Sequence, residues 1–95
     1  MEFLVSIDVR TPHDLDPATL ADLQAAEATR ARELVEAGSL KRIWRIPGRR
    51  SNICLYEAAD ATALHAAVSS LPLFPYMEIE VQALATHPVE AHSSR

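Results

Sequence analysis

An α+β fold of order β-α-β-β-α-β is predicted by three observations. Residues 2–9 and 76–84 alternate apolar and polar side chains with the period of two that marks a half-buried strand. Within residues 16–38 and again within 60–70, apolar residues recur at helical spacing behind good capping residues. Residues 40–46 and 52–57 read as two further strands flanking Pro47-Gly48-Arg49-Arg50, a turn signal. Right-handed crossovers then place both helices on one face of a four-stranded antiparallel sheet, the ferredoxin-like arrangement.

In the first strand Phe3, Val5, Ile7 and Val9 form the apolar face, opposite Leu4, Ser6 and Asp8. Pro12 makes residues 11–15 a loop, after which Asp16 suits the N-cap and Pro17, with no N–H to lose, suits the first helical position. Gly38 ends this helix as a left-handed cap. In the hairpin, Pro47 favours the first central position of a type I or II turn. Asp60 caps the second helix, whose buried stripe is Leu64, Ala67, Val68 and Leu71, and Pro72 and Pro75 bracket the loop after it. In the last strand Met77, Ile79, Val81 and Ala83 point one way, and Tyr76, Glu78, Glu80 and Gln82 the other. Residues 86–95, with His87, Pro88 and His92, are polar and without period, a tail that is either disordered or a strap on a neighbouring subunit.

A length of 95 residues makes a single domain, 1–95, with one modest core. Helices on one face leave the other uncovered, so a second subunit packing sheet to sheet, as a dimeric α/β barrel, is expected. The net charge is −4 and the nine Lys and Arg are scattered apart from the pairs Lys41-Arg42 and Arg49-Arg50, which offers no basic stripe to a nucleic acid. Cys54, the one cysteine, lies in a strand and reads as a buried, inert thiol, with no intramolecular disulfide or multi-cysteine metal site possible. The chain opens directly into Phe3-Leu4-Val5 and nothing approaches the ~18 apolar residues of a membrane span, so a soluble, cytoplasmic protein is expected. His87 and His92 lack companions at ligand spacing, and Gly38 and Gly48 alone cannot build a nucleotide-binding loop. Neither a metal nor a cofactor is expected.

Glu27 is the residue that points to chemistry. At about 100° per residue, Leu20, Leu23, Ala31, Leu34 and Val35 fall in an arc of roughly 120°, with Glu27 near its centre and Gln24 inside it. A carboxylate there must carry a raised pKa or meet a fixed partner, and either outcome can make a general base; a structural ion pair or a tilt to the helix edge is the alternative. Its companions would come from His65 at the flank of the second helix, from Trp44, Arg45 and Asn52 on the hairpin, and from Tyr76, which could close the cleft mouth with Phe74. Trp44 and Arg45 are neighbours on a strand and cannot both face inward. An inward Arg45 would attract an anionic substrate, whereas an outward one would pair with Glu78 or Glu80. A lone buried acid in an apolar cleft suits proton abstraction beside a carbonyl and suits hydride, phosphoryl or redox chemistry poorly.

The segment Leu71-Pro-Leu-Phe-Pro-Tyr-Met-Glu-Ile-Glu-Val81, the strand end Trp44-Arg45-Ile46 with Gly48, the early Asp14-Leu-Asp-Pro17 and the closing His87-Pro88 together resemble the muconolactone delta-isomerase family over essentially the whole chain. The resemblance implies a cofactor-free isomerase of the β-ketoadipate pathway, turning muconolactone into 3-oxoadipate enol-lactone during catechol degradation. It implies ferredoxin-like subunits assembled into dimers and then a homodecamer, and it aligns Glu27 with the acid expected to shuttle the proton. Some members carry His and Lys at the positions of Leu4 and Ser6, and charged residues in place of Ala26 and Ala28, so a less polar pocket is expected. The rival readings are a cofactor-independent oxygenase on the same fold, for which five aromatic residues line a polyaromatic pocket poorly, and a non-catalytic binding module. The latter would keep Glu27 fully ion-paired with no cavity beside it.

Overall fold

The computed structural model describes residues 1–93, with the side chains of residues 1–90. Its elements run β1 (Glu2–Val9), α1 (Pro17–Glu36), β2 (Leu40–Arg45), β3 (Ser51–Glu57), α2 (Ala61–Ser69), a 3-10 turn (Phe74–Tyr76), β4 (Met77–Leu84) and α3 (Pro88–Ser93). The strands form one antiparallel sheet in the order β2-β3-β1-β4, the ferredoxin-like topology.

Local chemistry fixes the element ends. The Asp16 carboxylate accepts from the Thr19 N–H at 3.1 Å, Pro17 opens α1, and Gly38 takes φ +82° beyond its end. Gly48 at φ +76°, after Pro47 and inside an Arg49 N–H to Ile46 carbonyl bond of 3.2 Å, makes the hairpin turn type II. Asp60 caps α2 through the Ala63 N–H at 2.8 Å.

Phe3, Val5 and Ile7 of β1 and Cys54 and Tyr56 of β3 supply the sheet's side of the core, with Leu34 of α1, Leu64 and Val68 of α2, and Leu71 above them. Both long helices therefore lie on one face. The register between Leu40 and Arg42 shifts, so that Leu40 opposes Tyr56 while Ile43 opposes Cys54. Strict alternation would have turned Leu40 and Ile43 to opposite faces; this bulge at Lys41 brings both to the helical side. The other face carries half-buried Leu4, Ile53 and Leu55 and exposed Trp44 and Leu84, and neither α1 nor α2 lies over it.

Several expectations are corrected. Val35 is 52% exposed and not part of the buried stripe, because Leu34, one residue earlier, is the side chain α1 turns into the core. Tyr76 ends the 3-10 turn, and β4 begins at Met77. The tail is not without structure: Pro88 begins a short helix, and His87 Nδ1 accepts from the Val89 N–H at 3.1 Å. The side chain of His92 lies outside those described.

Candidate active site

A cleft of about 530 Å³ opens between α1 and the β2–β3 end of the sheet. Its apolar walls come from Ile7, Leu20, Ile43, Leu71 and Leu73, and its charged groups are Glu27, Arg45 and Arg50. Helical geometry brings Glu27 here, since it shares the inward side of α1 with Leu20, Ala31 and Leu34.

Glu27 is half-buried, and its Oε1 accepts a 3.0 Å hydrogen bond from the Leu73 backbone N–H. Burial raises its pKa above the ordinary 4.5, and the Leu73 N–H opposes that shift in part. No cation pairs with it among the described residues. A carboxylate with heightened proton affinity, one oxygen anchored and a cavity in front of it, has the properties of a general base. Beneath it, burial and then the nearby Glu27 charge push the Cys54 thiol up to about 11. Tyr56 is pushed up chiefly by burial, so its hydroxyl keeps its proton at neutral pH.

Arg45 and Asn52 are cross-strand partners and both line the cleft. Arg45 cannot meet Glu78 or Glu80, because β2 and β4 are opposite edges of the sheet; Glu78 pairs instead with Arg10 at 3.3 Å. The other three candidates lie elsewhere. Trp44, next to Arg45, necessarily points to the opposite face, with the Arg42 guanidinium 4.9 Å from its ring centroid. His65 stands edge-on to Phe74 at 6.1 Å and lines a separate apolar cavity of about 450 Å³ between α2 and β4. Tyr76 is carried out of the cleft by the 3-10 turn, where its carbonyl accepts from the Arg10 N–H at 2.8 Å. The cleft wall is supplied by Leu71 and Leu73 before that turn and Met77 after it, not by Phe74 and Tyr76.

Three groups escaped the sequence reading, the first being Tyr56, a cleft-lining residue of β3. Arg50 was hidden by its place in the hairpin turn, where strand alternation does not apply, and the Leu73 N–H because no side chain announces a backbone donor from a distant loop. Of Leu4, Ser6, Ala26 and Ala28, only Ala28 lines the cleft; Leu4 and Ser6 are on the sheet face away from the helices and Ala26 is exposed. Among the described residues, no group of three or more His, Cys, Asp or Glu side chains is placed to hold a metal, and no helix is long and apolar enough to cross a membrane.

Fold and site together define a small ferredoxin-like protein with a half-buried carboxylate, unpaired by any cation among the described residues, at its main cleft. A family model described as muconolactone delta-isomerase matches residues 1–90. The muconolactone delta-isomerase of Pseudomonas aeruginosa is 40% identical over 93 residues, covering 98% of this chain and 97% of that one. Its counterpart from Rhodococcus opacus is 42% identical over 85 residues, covering 90% and 91%. A crystal structure of muconolactone isomerase superposes with a TM-score of 0.87 at 41% identity, over 93% of this chain and 92% of the other. The chain belongs to the muconolactone delta-isomerase family.

Proposed function

We propose that the protein isomerises muconolactone to 3-oxoadipate enol-lactone in the catechol branch of the β-ketoadipate pathway, with Glu27 as the one proton carrier. The observation that carries this reading is the half-buried, unpaired Glu27 carboxylate at the cleft, anchored through one oxygen by the Leu73 N–H. The C4 proton of the lactone is acidified by conjugation through C2=C3 to the carbonyl. Ionised Glu27 takes that proton, the charge passes to the carbonyl oxygen as a dienolate, and the same carboxyl returns a proton to C2, leaving a C3=C4 double bond. Arg45 holds the substrate carboxylate. The Asn52 amide and the Tyr56 hydroxyl, both on the cleft wall, are the donors available to the dienolate oxygen. Proton return needs only the carboxyl that removed it, so the scheme calls for no cofactor.

The same reading makes the enzyme cytoplasmic and self-associating. The uncovered sheet face with Leu4, Ile53, Leu55 and Trp44 supports a sheet-to-sheet dimer, further assembled toward a decamer, with residues 86–95 strapped onto a neighbour. Purified protein mixed with muconolactone, followed by ultraviolet absorbance and by proton NMR in deuterated water, tests the activity. Conversion to the enol-lactone with any solvent deuterium entering at C2 is expected; unchanged muconolactone at high enzyme concentration would refute the reading.

A further inference from the structure

Arg50 has no role in the scheme above, yet it lines the same cleft as Glu27, Arg45 and Asn52. It is the last residue of the hairpin turn, directly before β3. Asn52 faces the helices and opposes Arg45 across the hairpin, and Arg50, from the turn before β3, lines the same cleft. The backbone there is pinned, since the Arg50 carbonyl accepts from the Val9 N–H at 3.1 Å and the Ser51 carbonyl from the Ile46 N–H at 2.9 Å. Arg49, one residue away, borders two cavities that exclude Glu27, one of them shared with Arg50, and does not line the cleft. Neither Arg45 nor Arg50 meets a carboxylate among the described residues.

A second cation would balance the charge of the occupied cleft. Muconolactone carries its carboxylate on a methylene attached to C4, the carbon that loses the proton. A productive complex therefore brings the substrate anion close to a Glu27 that must itself be ionised to act. With Arg45 alone the occupied cleft would hold two negative charges against one positive; with Arg50 the four charges balance.

We propose that Arg50 is a substrate-binding residue that closes, with Arg45 and Asn52, a clamp on the ligand carboxylate and so sets the cleft's preference for anionic lactones. This rests on the isomerase reading for the identity of the lactone. The test uses the full-length protein and two inert probes, the saturated lactone 4-carboxymethylbutan-4-olide and its methyl ester, titrated calorimetrically into wild type, Arg50→Gln, Arg50→Lys and Arg49→Gln, each checked for folding by circular dichroism. Wild type should bind the acid in preference to the ester. Arg50→Gln should lose about tenfold or more of that preference, Arg50→Lys should recover part of it, and Arg49→Gln should resemble wild type. With muconolactone, Arg50→Gln should act mainly through KM and leave kcat nearly unchanged. A folded Arg50→Gln protein that keeps the acid-over-ester preference, or a loss matched by Arg49→Gln, overturns the assignment. Absence of turnover by wild type would instead defeat the isomerase reading, whatever the binding data show.

Discussion

The Leu73 backbone N–H donates to Glu27 Oε1 at 3.0 Å, joining the loop between α2 and β4 to the middle of α1. One oxygen of the carboxylate is thereby committed to orientation, and the other is left for chemistry. Burial raises the proton affinity of the group while this one bond keeps ionisation attainable.

That balance has a cost in stability. Because the folded pKa of Glu27 lies above its ordinary 4.5, its contribution is fully favourable below that pH and is lost as pH rises through the elevated value. Gln keeps the shape and a carbonyl oxygen for the Leu73 N–H without the charge. Glu27→Gln should thus melt at or above the wild-type temperature at neutral pH, with the advantage vanishing in acid. A variant that is less stable than wild type only at neutral pH would contradict the pKa assignment.

Leu34 is the one buried side chain of α1, so the helix bearing Glu27 leans on it heavily. Leu34→Ala should cost roughly 2–4 kcal/mol in urea unfolding, from lost transfer free energy plus the residual cavity. Activity should fall in the fraction that stays folded, because the Glu27 carboxylate loses its fixed distance to the cleft. A cost below about 1 kcal/mol would mean that α1 is held by other contacts.

Much of this was legible in the sequence because it depends on short-range rules. Alternation in Phe3, Val5, Ile7 and Val9 gives the strand and its buried face, Asp16-Pro17 and Gly38 bracket the helix, and helical spacing sets Glu27 among Leu20, Ala31 and Leu34. What failed depends on geometry between elements. The bulge at Lys41 leaves no local signature, and it decides how β2 faces the helices. Tyr76 continues the apolar-polar pattern of β4, but backbone bonds from the Phe74 and Tyr76 N–H groups to the Leu71 and Leu73 carbonyls wind it into a turn. His65 sits at a helical flank as expected, yet α2 packs nearer β4 than β3, which carries it away from Glu27.

Cys54 should be chemically quiet. Its thiol is 2% exposed and held up at about 11, so almost no thiolate exists at mildly alkaline pH. Iodoacetamide should label it slowly in the native protein and quickly in concentrated urea, with mass spectrometry as the readout. Equal rates in the two states would mean that β3 opens far more readily than its burial implies.

Assembly should couple to stability, since the face bearing Leu4, Ile53, Leu55 and Trp44 needs cover and the core is small. The melting temperature should rise with protein concentration, and truncation after Ala85 should reduce oligomer size and activity together. Sedimentation that finds a monomer at micromolar concentration would contradict the first expectation, and unchanged oligomer size and kinetics in the truncation would contradict the second.

The most direct test of Glu27 as the proton carrier is steady-state turnover of muconolactone by wild type and Glu27→Gln across a pH series. The wild-type kcat/KM should fall on the acidic side with a midpoint above the ordinary carboxyl value of 4.5, as the base becomes protonated. Folded Glu27→Gln should lose on the order of 10² or more in kcat and show no such limb. Near-normal turnover by the folded variant, with the acidic limb intact, would contradict the account.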